Sequence, residues 1–450
     1  MKKYVLFLLI AFFSILQGCD NMDVETKGVA EFNAAVIKYP GLLNNRHIKG
    51  KQLNGTKKDC SDGVHWENLV IHNLTLEDVE MWRAHLKNVT FVDCNFIKVD
   101  FSRSIFDNVK FIRGKIYGYP EPNQPKPSND YESTFNNISI TRVLFDGVEF
   151  GQSVNIGFGN GIVVMRNIKA DLPPDKNACL LSGNNLQVRM DNCRVSNQAA
   201  ILGVDDRITL YATNSKFINA ELNFTGPAAW IENCVLAGGG APFTDVLVIK
   251  KSQLENTGAG SYKTKQNPNK LHGVFLTENT YTNNLYSNNG PGIPAMMGFG
   301  GASDGRLYLY ANGEEIPGRT SISGGNVYIS NANLGKVFMG SGKQNPEYVT
   351  SLNLQNVKIK GGGDWTFADV RHGKWENVAI YSSVDLKDSK FGEIIGHRVE
   401  FPNGTPWKNG ELKITPSYEP LTFDKPPVPT LEETGLAQFW KENDFPKESY

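Results

Sequence analysis

The stretch from Leu74 to Ile116 reads LTLEDVEMWRAHLKNVTFVDCNFIKVDFSRSIFDNVKFIRGKI, and it repeats with a strict period of five. One column of the repeat is mostly small, and the residue two places later is larger and apolar. Residues two apart in a strand point to the same side, so both columns face one interior. An amphipathic helix is excluded, because a period of five would rotate the apolar stripe around a 3.6-residue turn. The small column is Val79, Ala84, Val89, Cys94, Val99, Ser104, Val109 and Gly114, and the large column is Leu76, Met81, Leu86, Phe91, Phe96, Phe101, Phe106, Phe111 and Ile116.

A four-residue phrase that begins with Asn carries the pattern along the rest of the chain. Its second and fourth residues are mostly apolar or small and its third is mostly polar, which predicts a short strand with one inner face. Asn suits the corner before such a strand, because it tolerates the left-handed backbone region. Successive phrases often lie about 20 to 25 residues apart, which is typical of stacked solenoid coils. The phrases begin at Asn73, Asn88, Asn108, Asn137, Asn167, Asn192, Asn214, Asn233, Asn356 and Asn377.

The period-of-five stretch resembles the pentapeptide-repeat family in the register of its small and large columns, over about a tenth of the chain. The resemblance implies a right-handed, four-sided parallel β-helix with both columns inside. From about Gly157 the phrases become uneven, which predicts a more general β-helix with three-sided coils. We therefore expect an all-β fold: a right-handed parallel β-helix (solenoid), with four-sided pentapeptide-like coils near the N-terminus and a short C-terminal capping helix.

Four regions follow from these patterns: a signal peptide (1–18), a lipidated N-terminus with linker and N-terminal cap (19–65), the β-helix (66–400), and a Pro-rich tail with a short helix (401–450). Two loop insertions are expected, at 117–136, where four prolines cannot donate to an interior ladder, and in the Gly/Asn-rich stretch 256–326. The second could equally be irregular coils. Thr430 to Glu433 form a capping box that opens the last helix, which either covers the final coil or docks to a partner. Phe32 to Leu43 could cap the first coil.

An export signal precedes the solenoid. Lys2 and Lys3 stand before an apolar run, Tyr4 to Leu16, that is too short to cross a bilayer as a mature helix. Leu16-Gln17-Gly18-Cys19 resembles a bacterial lipoprotein box, which implies that Cys19 carries acyl chains such as palmitate. We expect a lipid anchor on the periplasmic side of the cell envelope. Asp20 favours the inner membrane, with the outer membrane as the alternative.

The composition of the chain limits the classes of partner that it could bind. The chain has 450 residues, 44 of them Gly, and a formal net charge of -1, which argues against nucleic acid because phosphate binding needs a basic excess. No spacing typical of a metal site is present, and no cofactor is expected. The other cysteines are odd in number and best explained as buried thiols, with a Cys60–Cys94 disulfide left open. They are Cys60, Cys94, Cys179, Cys193 and Cys234.

Candidate catalytic residues are few. Asp205 and Asp206 could form the carboxylate pair that a glycoside hydrolase needs, with His272 as a third participant. The signatures of polygalacturonases, Asn-Thr-Asp and Arg-Ile-Lys, are absent. Two adjacent Asp at a β-helix corner are more often a solvated turn.

Candidate binding residues are aromatic and charged side chains in the longer turns, because loops on a rigid scaffold commonly carry binding. They lead to our hypothesis of a lipid-anchored envelope protein whose β-helix binds a macromolecular partner, protein in preference to glycan, for example in an immunity or assembly role. The alternative is a polysaccharide-degrading β-helix enzyme, either a hydrolase or a lyase. The candidates are Tyr281, Tyr286, Phe299, Trp365, Arg371, His372 and Trp440.

Overall fold

The computed structural model describes residues 28–118, 133–151, 154–171, 179–203, 207–263, 272–282, 296–301, 306–322, 324–339, 349–424 and 428–446. These residues form two helices, α1 (Val29–Lys38) and α2 (Leu436–Asn443), and 37 short strands. The first strands are β1 (His47–Lys49), β2 (His65–Glu67), β3 (Val70–His72), β4 (Thr75–Glu80), β5 (His85–Lys87), β6 (Thr90–Asp100), β7 (Ile105–Asp107), β8 (Val109–Tyr117), β9 (Ser133–Ile140), β10 (Arg142–Asp146), β11 (Glu149–Phe150) and β12 (Val154–Arg166). The next are β13 (Lys169–Asp171), β14 (Cys179–Asp191), β15 (Arg194–Ser196), β16 (Ala199–Gly203), β17 (Thr209–Thr213), β18 (Lys216–Ile218), β19 (Glu221–Asn223), β20 (Thr225–Glu232), β21 (Val235–Ala237), β22 (Gly240–Lys250), β23 (Gln253–Glu255), β24 (Gly258–Lys263) and β25 (Gly273–Thr277). The last are β26 (Thr280–Thr282), β27 (Met296–Gly301), β28 (Arg306–Tyr310), β29 (Glu315–Ile322), β30 (Gly325–Met339), β31 (Val349–Ile359), β32 (Gly363–Asp364), β33 (Asp369–Ile380), β34 (Val384–Asp385), β35 (Lys390–Glu400), β36 (Trp407–Lys408) and β37 (Ile414–Pro416).

The strands stack into a parallel β-solenoid of about 13 coils, which confirms the predicted fold class. Pairing is parallel from β1 with β4 to β35 with β37. In the first coils Thr90 pairs with Lys110 and Phe91 with Phe111, so one coil takes four repeats of five residues. Later coils are uneven: Arg166 pairs with Asp191, and Lys250 with Thr277.

The two columns of the period-of-five stretch face the interior as predicted. The large column is completely buried, and its phenylalanines stack from coil to coil. The rings of Phe91 and Phe111 are 5.1 Å apart at 19°, and those of Phe111 and Phe145 are 5.0 Å apart at 14°. Each buried ring contributes roughly 1.5–3 kcal/mol.

Asparagine forms the corners between strands. All ten Asn that open the four-residue phrases have a positive φ, for example 52° at Asn88 and 55° at Asn108. Their amides also join neighbouring coils: Asn108 Nδ2 donates to Asn88 Oδ1 at 2.9 Å, and Asn88 Nδ2 to Asn68 Oδ1 at 2.9 Å. Each of these corner Asn residues therefore adopts the backbone conformation of the turn and hydrogen-bonds the Asn at the same corner of a neighbouring coil.

The N-terminal end is covered by α1, in the segment expected to act as a cap. Phe32, Val36 and Leu43 are buried against the first coils. Asn33 Nδ2 donates to the Gly63 carbonyl at 2.9 Å, and the His65 backbone N–H donates to Asn33 Oδ1 at 3.0 Å. Pairing begins with β1, so the solenoid starts before the expected boundary at 66.

Both segments expected to be loop insertions differ in the structure from what the sequence predicted. β8 continues to Tyr117 and β9 begins at Ser133, with Phe135 in the core, so the break is shorter than 117–136. Its four prolines lie outside the described residues. Within 256–326, β24 pairs with β22 and β27, and β28 pairs with β25 and β30. The described part of this stretch is therefore made of coils, because its strands complete ladders on both sides.

The C-terminal tail returns along the side of the solenoid. β36 and β37 still pair with the coil before them, past residue 400. The Ser417 N–H then donates to the Gly396 carbonyl at 2.7 Å, Phe423 packs on Tyr328 at 5.5 Å, and the Phe445 ring lies 4.9 Å from the Arg142 guanidinium. The tail thus runs antiparallel to the order of the coils.

The helix near the C-terminus is confirmed, but it does not cover the final coil. Its Leu436 and Trp440 are buried with outward-facing residues of the middle coils, among them Trp230. These outward residues form an apolar stripe that would otherwise face water, which explains why the helix lies on the side of the solenoid. The stripe consists of Val92, Ile112, Leu144, Val164, Ala228, Trp230, Val248, Phe275, Tyr308 and Tyr328.

The capping box is present. The Thr430 N–H donates to Glu433 Oε2 at 2.7 Å, and the Glu433 N–H donates to Thr430 Oγ1 at 3.2 Å. It opens a turn rather than the helix itself, because Gly435 adopts φ +75° and α2 begins at the next residue.

The cysteines from Cys60 onward are free thiols, all buried except the half-buried Cys179. The open question of a Cys60–Cys94 bridge is therefore answered: no disulfide links them. Ser215 lies between Cys193 and Cys234, accepting from the Cys193 N–H at 3.0 Å and donating its own N–H to Cys234 Sγ at 3.4 Å. No helix within the described part of the chain is long and apolar enough to cross a membrane.

Candidate functional site

A groove lies beside the returning tail, in the last third of the solenoid. We call it the C-terminal groove; its volume is about 530 Å³. Outward residues of β28, β30, β31, β33 and β35 form the floor, and the tail forms one wall. The lining residues are Tyr308, Asn326, Tyr328, Ser351, Asn353, His372, Gly373, Lys374, Glu393, Ile395, Thr422, Phe423 and Asp424.

Strand alternation points two columns of floor residues into the groove. Leu352 and Leu354 face the core, so Ser351 and Asn353 face outward. Strand register then stacks equivalent positions of successive coils about 4.7–4.9 Å apart. The first column is Asn326, Ser351, His372 and Glu393, and the second is Tyr328, Asn353, Lys374 and Ile395.

Amide and hydroxyl groups occupy the centre of the floor. Asn353 Nδ2 donates to Ser351 Oγ at 3.0 Å and approaches Asn326 Oδ1 at 3.4 Å. The Ser351 hydroxyl donates to Asn326 Oδ1, and Asn353 Oδ1 accepts from the Lys374 N–H at 3.2 Å. These bonds hold the polar side chains in defined orientations.

An aromatic cluster closes one end of the groove. Tyr308 and Tyr328 are 5.7 Å apart in an edge-to-face arrangement, and Phe423 of the tail packs on Tyr328. Tyr328 donates its hydroxyl to Gln355 Oε1 at 2.6 Å. Burial, with the neighbouring Tyr308, raises the pKa of Tyr328 to about 12. The phenol therefore stays neutral at physiological pH. Because both rings are nearly buried, they shape the groove rather than project into it.

Charged groups line the other end. Lys374 Nζ donates to the Thr422 carbonyl at 3.2 Å, which ties the floor to the tail wall. His372 and Glu393 are exposed on the floor, and Asp424 is exposed on the wall. With His372 counted as neutral, these groups carry one formal positive and two formal negative charges, which is a net formal charge of -1.

The wall is anchored at both ends of the tail. Near the groove, Glu376 Oε2 accepts from the Leu421 N–H at 2.9 Å, and Glu376 Oε1 lies 2.8 Å from His397 Nδ1. At the far end, Asp444 accepts from Arg166 Nη2 at 2.7 Å and also pairs with Arg189. The Arg166 side chain is only 7% exposed, so this ion pair is largely shielded from solvent.

Of the predicted binding residues, His372 lines the groove and Arg371, beside it in β33, is exposed. Trp365 is fully buried and packs at 90° against Trp375, with ring centres 6.2 Å apart. Trp440 is buried under the tail helix. The structure thus places both tryptophans in cores instead of on a binding surface.

Tyr281 belongs to a link between coils. Its hydroxyl donates to Glu314 Oε2 at 2.8 Å, and the same carboxylate accepts from the Asn279 N–H at 2.8 Å. Burial raises the pKa of Glu314, and burial with the nearby Glu314 raises the pKa of Tyr281 well above its ordinary value. The Tyr281 hydroxyl is therefore engaged inside the protein.

Of the predicted catalytic set, only His272 lies among the described residues. His272 is 1% exposed, with Nδ1 3.4 Å from Asp245 Oδ1, so it does not face a cleft. Its place at the start of a buried strand explains this. Asp205, Asp206 and Tyr286 lie outside the described residues, as does the side chain of Phe299, whose backbone belongs to β27.

Sequence reasoning missed most of the groove. Its members are single polar residues at outward positions, and they become neighbours only through the register of coils of unequal length. Aligning the chain coil by coil would have shown them as two columns that contain most of the polar residues. The missed residues include Asn326, Ser351, Asn353, Lys374, Glu393 and Asp424. No group of three or more potential metal-ligating side chains occurs in the described ranges.

Comparison with known proteins supports the repeat. The family model of pentapeptide repeats matches residues 75–113 in eight copies, so this part of the chain consists of pentapeptide repeats. No curated protein matches the chain significantly. A solved structure described as "a new PL6 alginate lyase complex with trisaccharide" aligns over 87% of this chain and 85% of its own, at 10% identity and a TM-score of 0.20. A TM-score this low gives no support to any shared activity.

Proposed function

We propose that this protein is a lipid-anchored component of the bacterial cell envelope that binds an extended glycan in the C-terminal groove. One observation carries the proposal: the groove is lined by oriented amide, hydroxyl and charged side chains, while the rings of Tyr308 and Tyr328 are nearly buried and that of Phe423 is half-buried. Such a surface suits a ligand rich in hydroxyl groups, because the polar side chains on the floor, such as Asn326, Asn353 and Glu393, offer hydrogen-bond donors and acceptors.

A glycan is favoured over the protein partner that the sequence suggested. Protein interfaces are depleted in charged residues at their core and rely on aromatic anchors. Here the groove contains Lys374, Glu393 and Asp424, and the candidate anchors Trp365 and Trp440 are buried. The continuous apolar stripe of the solenoid is covered by the tail. Large apolar side chains exposed in the described ranges are few: Ile37, Tyr39, Val70, Trp82, Leu202, Phe243 and Tyr418.

The groove lies far along the solenoid from the end that α1 covers. The chain enters the solenoid at the end capped by α1, after the proposed lipidated Cys19. Eleven coil steps separate the coil of Ile71 from that of Ile329, which amounts to a distance on the order of 50 Å at 4.7–4.9 Å per coil. The proposed anchor at Cys19 therefore precedes, in the chain, the end of the solenoid that is remote from the groove.

Affinity electrophoresis of the full lipoprotein in detergent, through gels that contain soluble neutral or acidic polysaccharides, tests the proposal. We expect at least one polysaccharide to retard the protein, and the variant His372→Ala to lose most of the retardation with an unchanged melting temperature. Lys358→Ala is the matched control, because Lys358 is exposed on β31 outside the groove.

Three results would refute or change the proposed binding role. Absence of retardation by every polysaccharide would refute it. A purified envelope protein that binds wild type but not His372→Ala would establish the protein-partner alternative. Shortened polysaccharide products that require Glu393 or Asp424 would establish the enzyme alternative, since glycoside hydrolases use paired carboxylates across a groove.

A further inference from the structure

We infer that the glycan is an uncharged chain that lies parallel to the solenoid axis, with one sugar ring on each of four successive coils. This inference rests on the proposed glycan binding and specifies the class and orientation of the ligand. It follows from the stacking of the two floor columns, the direction of the tail wall and the charge of the groove.

The floor consists of four rungs, each contributed by one coil. They are Asn326 with Tyr328, Ser351 with Asn353, His372 with Lys374, and Glu393 with Ile395. Successive rungs are separated by the coil rise, about 4.7–4.9 Å. This rise is close to the length that one pyranose ring adds to an extended β-1,4-linked chain. A glycan along the axis can therefore place one ring beside each of these four coils.

The tail excludes a ligand that crosses the groove. It contacts the solenoid at Gly396, Glu376 and Tyr328 in turn, so the wall formed by Thr422, Phe423 and Asp424 runs along the axis. A chain laid across the coils would run into this wall. The open direction is the one that the rungs follow.

The charges favour a neutral ligand. Among the residues that line the groove, the carboxylates of Glu393 and Asp424 outnumber the one permanent cation, Lys374, whose Nζ donates to the Thr422 carbonyl. A chain of uronic acids would bring like charges close to these carboxylates. A neutral sugar instead donates its hydroxyls to the carboxylates and accepts from the amide groups of Asn326 and Asn353.

Isothermal titration of the full lipoprotein with β-1,4-linked oligomers of glucose and of N-acetylglucosamine, from one to six units, tests the inference. We expect the affinity in one of the two series to rise several-fold with each added unit up to four and then to level off. β-1,4-linked uronate oligomers of the same lengths should bind more weakly, and higher salt should narrow the difference.

The variant Glu393→Gln tests the order of the rungs, because its side chain is exposed and the substitution preserves its shape. The gain from the fourth unit should change, while the affinity for shorter oligomers that can occupy the first three rungs should remain near wild type. Lys358→Ala should match wild type at every length.

Different failures separate the two proposals. Affinity that reaches its maximum at one or two units, or tighter binding of the uronates, would overturn the axial neutral chain but leave glycan binding in place. Absence of binding in every series, together with no retardation by any polysaccharide, would overturn both.

Discussion

The docking of the tail on the apolar stripe allows a quantitative prediction, for the variant Trp440→Ala. Trp440 is 3% exposed and packs within the cluster that joins α2 to Trp230 and its neighbours. Truncating a buried aromatic side chain to Ala typically costs about 3–5 kcal/mol. At about 1.4 kcal/mol per factor of ten, the undocked population of the helix should rise by roughly two to four orders of magnitude.

Hydrogen exchange measured by mass spectrometry tests this prediction. Exchange should increase across residues 428–446 and stay unchanged in the strands, because the strands form their own ladders between coils. Protection at Ser417 and Leu421 should persist, since these N–H groups bond to Gly396 and Glu376. Gln438→Ala, on an exposed position of the same helix, should behave like wild type.

Two outcomes would contradict this reasoning. Unchanged exchange in the helix would mean that Trp440 does not hold it on the stripe. A uniform rise across tail and strands would mean that they open together as one unit, so the tail could not be treated as a separately docked element.

Three further predictions concern register, anchoring and the thiols. Phe101→Asp should abolish folding, because it buries a charge in the ring stack. Asp100→Ala should cost only about 1–2 kcal/mol, through the loss of hydrogen bonds from the Trp82 indole at 2.6 Å and the Ser102 N–H at 2.8 Å. Equal melting temperatures of the two variants would contradict the register. Cys19→Ala should abolish incorporation of labelled fatty acid and membrane retention, and continued labelling would exclude Cys19 as the acylated residue. Burial raises the pKa of Cys193 to about 12, so the thiol should resist iodoacetamide at pH 8 in the folded protein and react after unfolding in urea, and rapid native labelling would refute its burial. Because the folded pKa is raised, the stability that this protonated thiol contributes is present below its ordinary value of 9.0 and should be lost as the pH rises from there toward 12.

The interior of the solenoid could be predicted from sequence because its determinants are local. The period of five already identifies which residues face inward, and the residues at these positions, such as Phe91 and Phe111, are buried. The positive φ at Asn88 and Asn108 is likewise a property of a single corner. The capping box at Thr430 and Glu433 involves residues only three apart.

The surface could not be predicted in the same way. An aromatic residue in a polar stretch does not reveal whether it faces water, and Trp365, predicted to bind a partner, lies in the core because the local register directs it there. The groove depends on the register of coils whose lengths vary, which brings Asn326, Ser351, His372 and Glu393 into one column.

The position of the tail was decided only by the tertiary structure. Its amphipathic helix is evident from sequence, but the partner of its apolar face is not, because that partner is assembled from single residues of many coils. The contact between Asp444 and Arg166 joins positions 278 residues apart. Sequence alone thus determined a stacked β-solenoid with Asn corners, because the repeat pattern involves residues that are close together within one coil. The packing of distant coils and the returning tail determined where an outward surface is left open to bind.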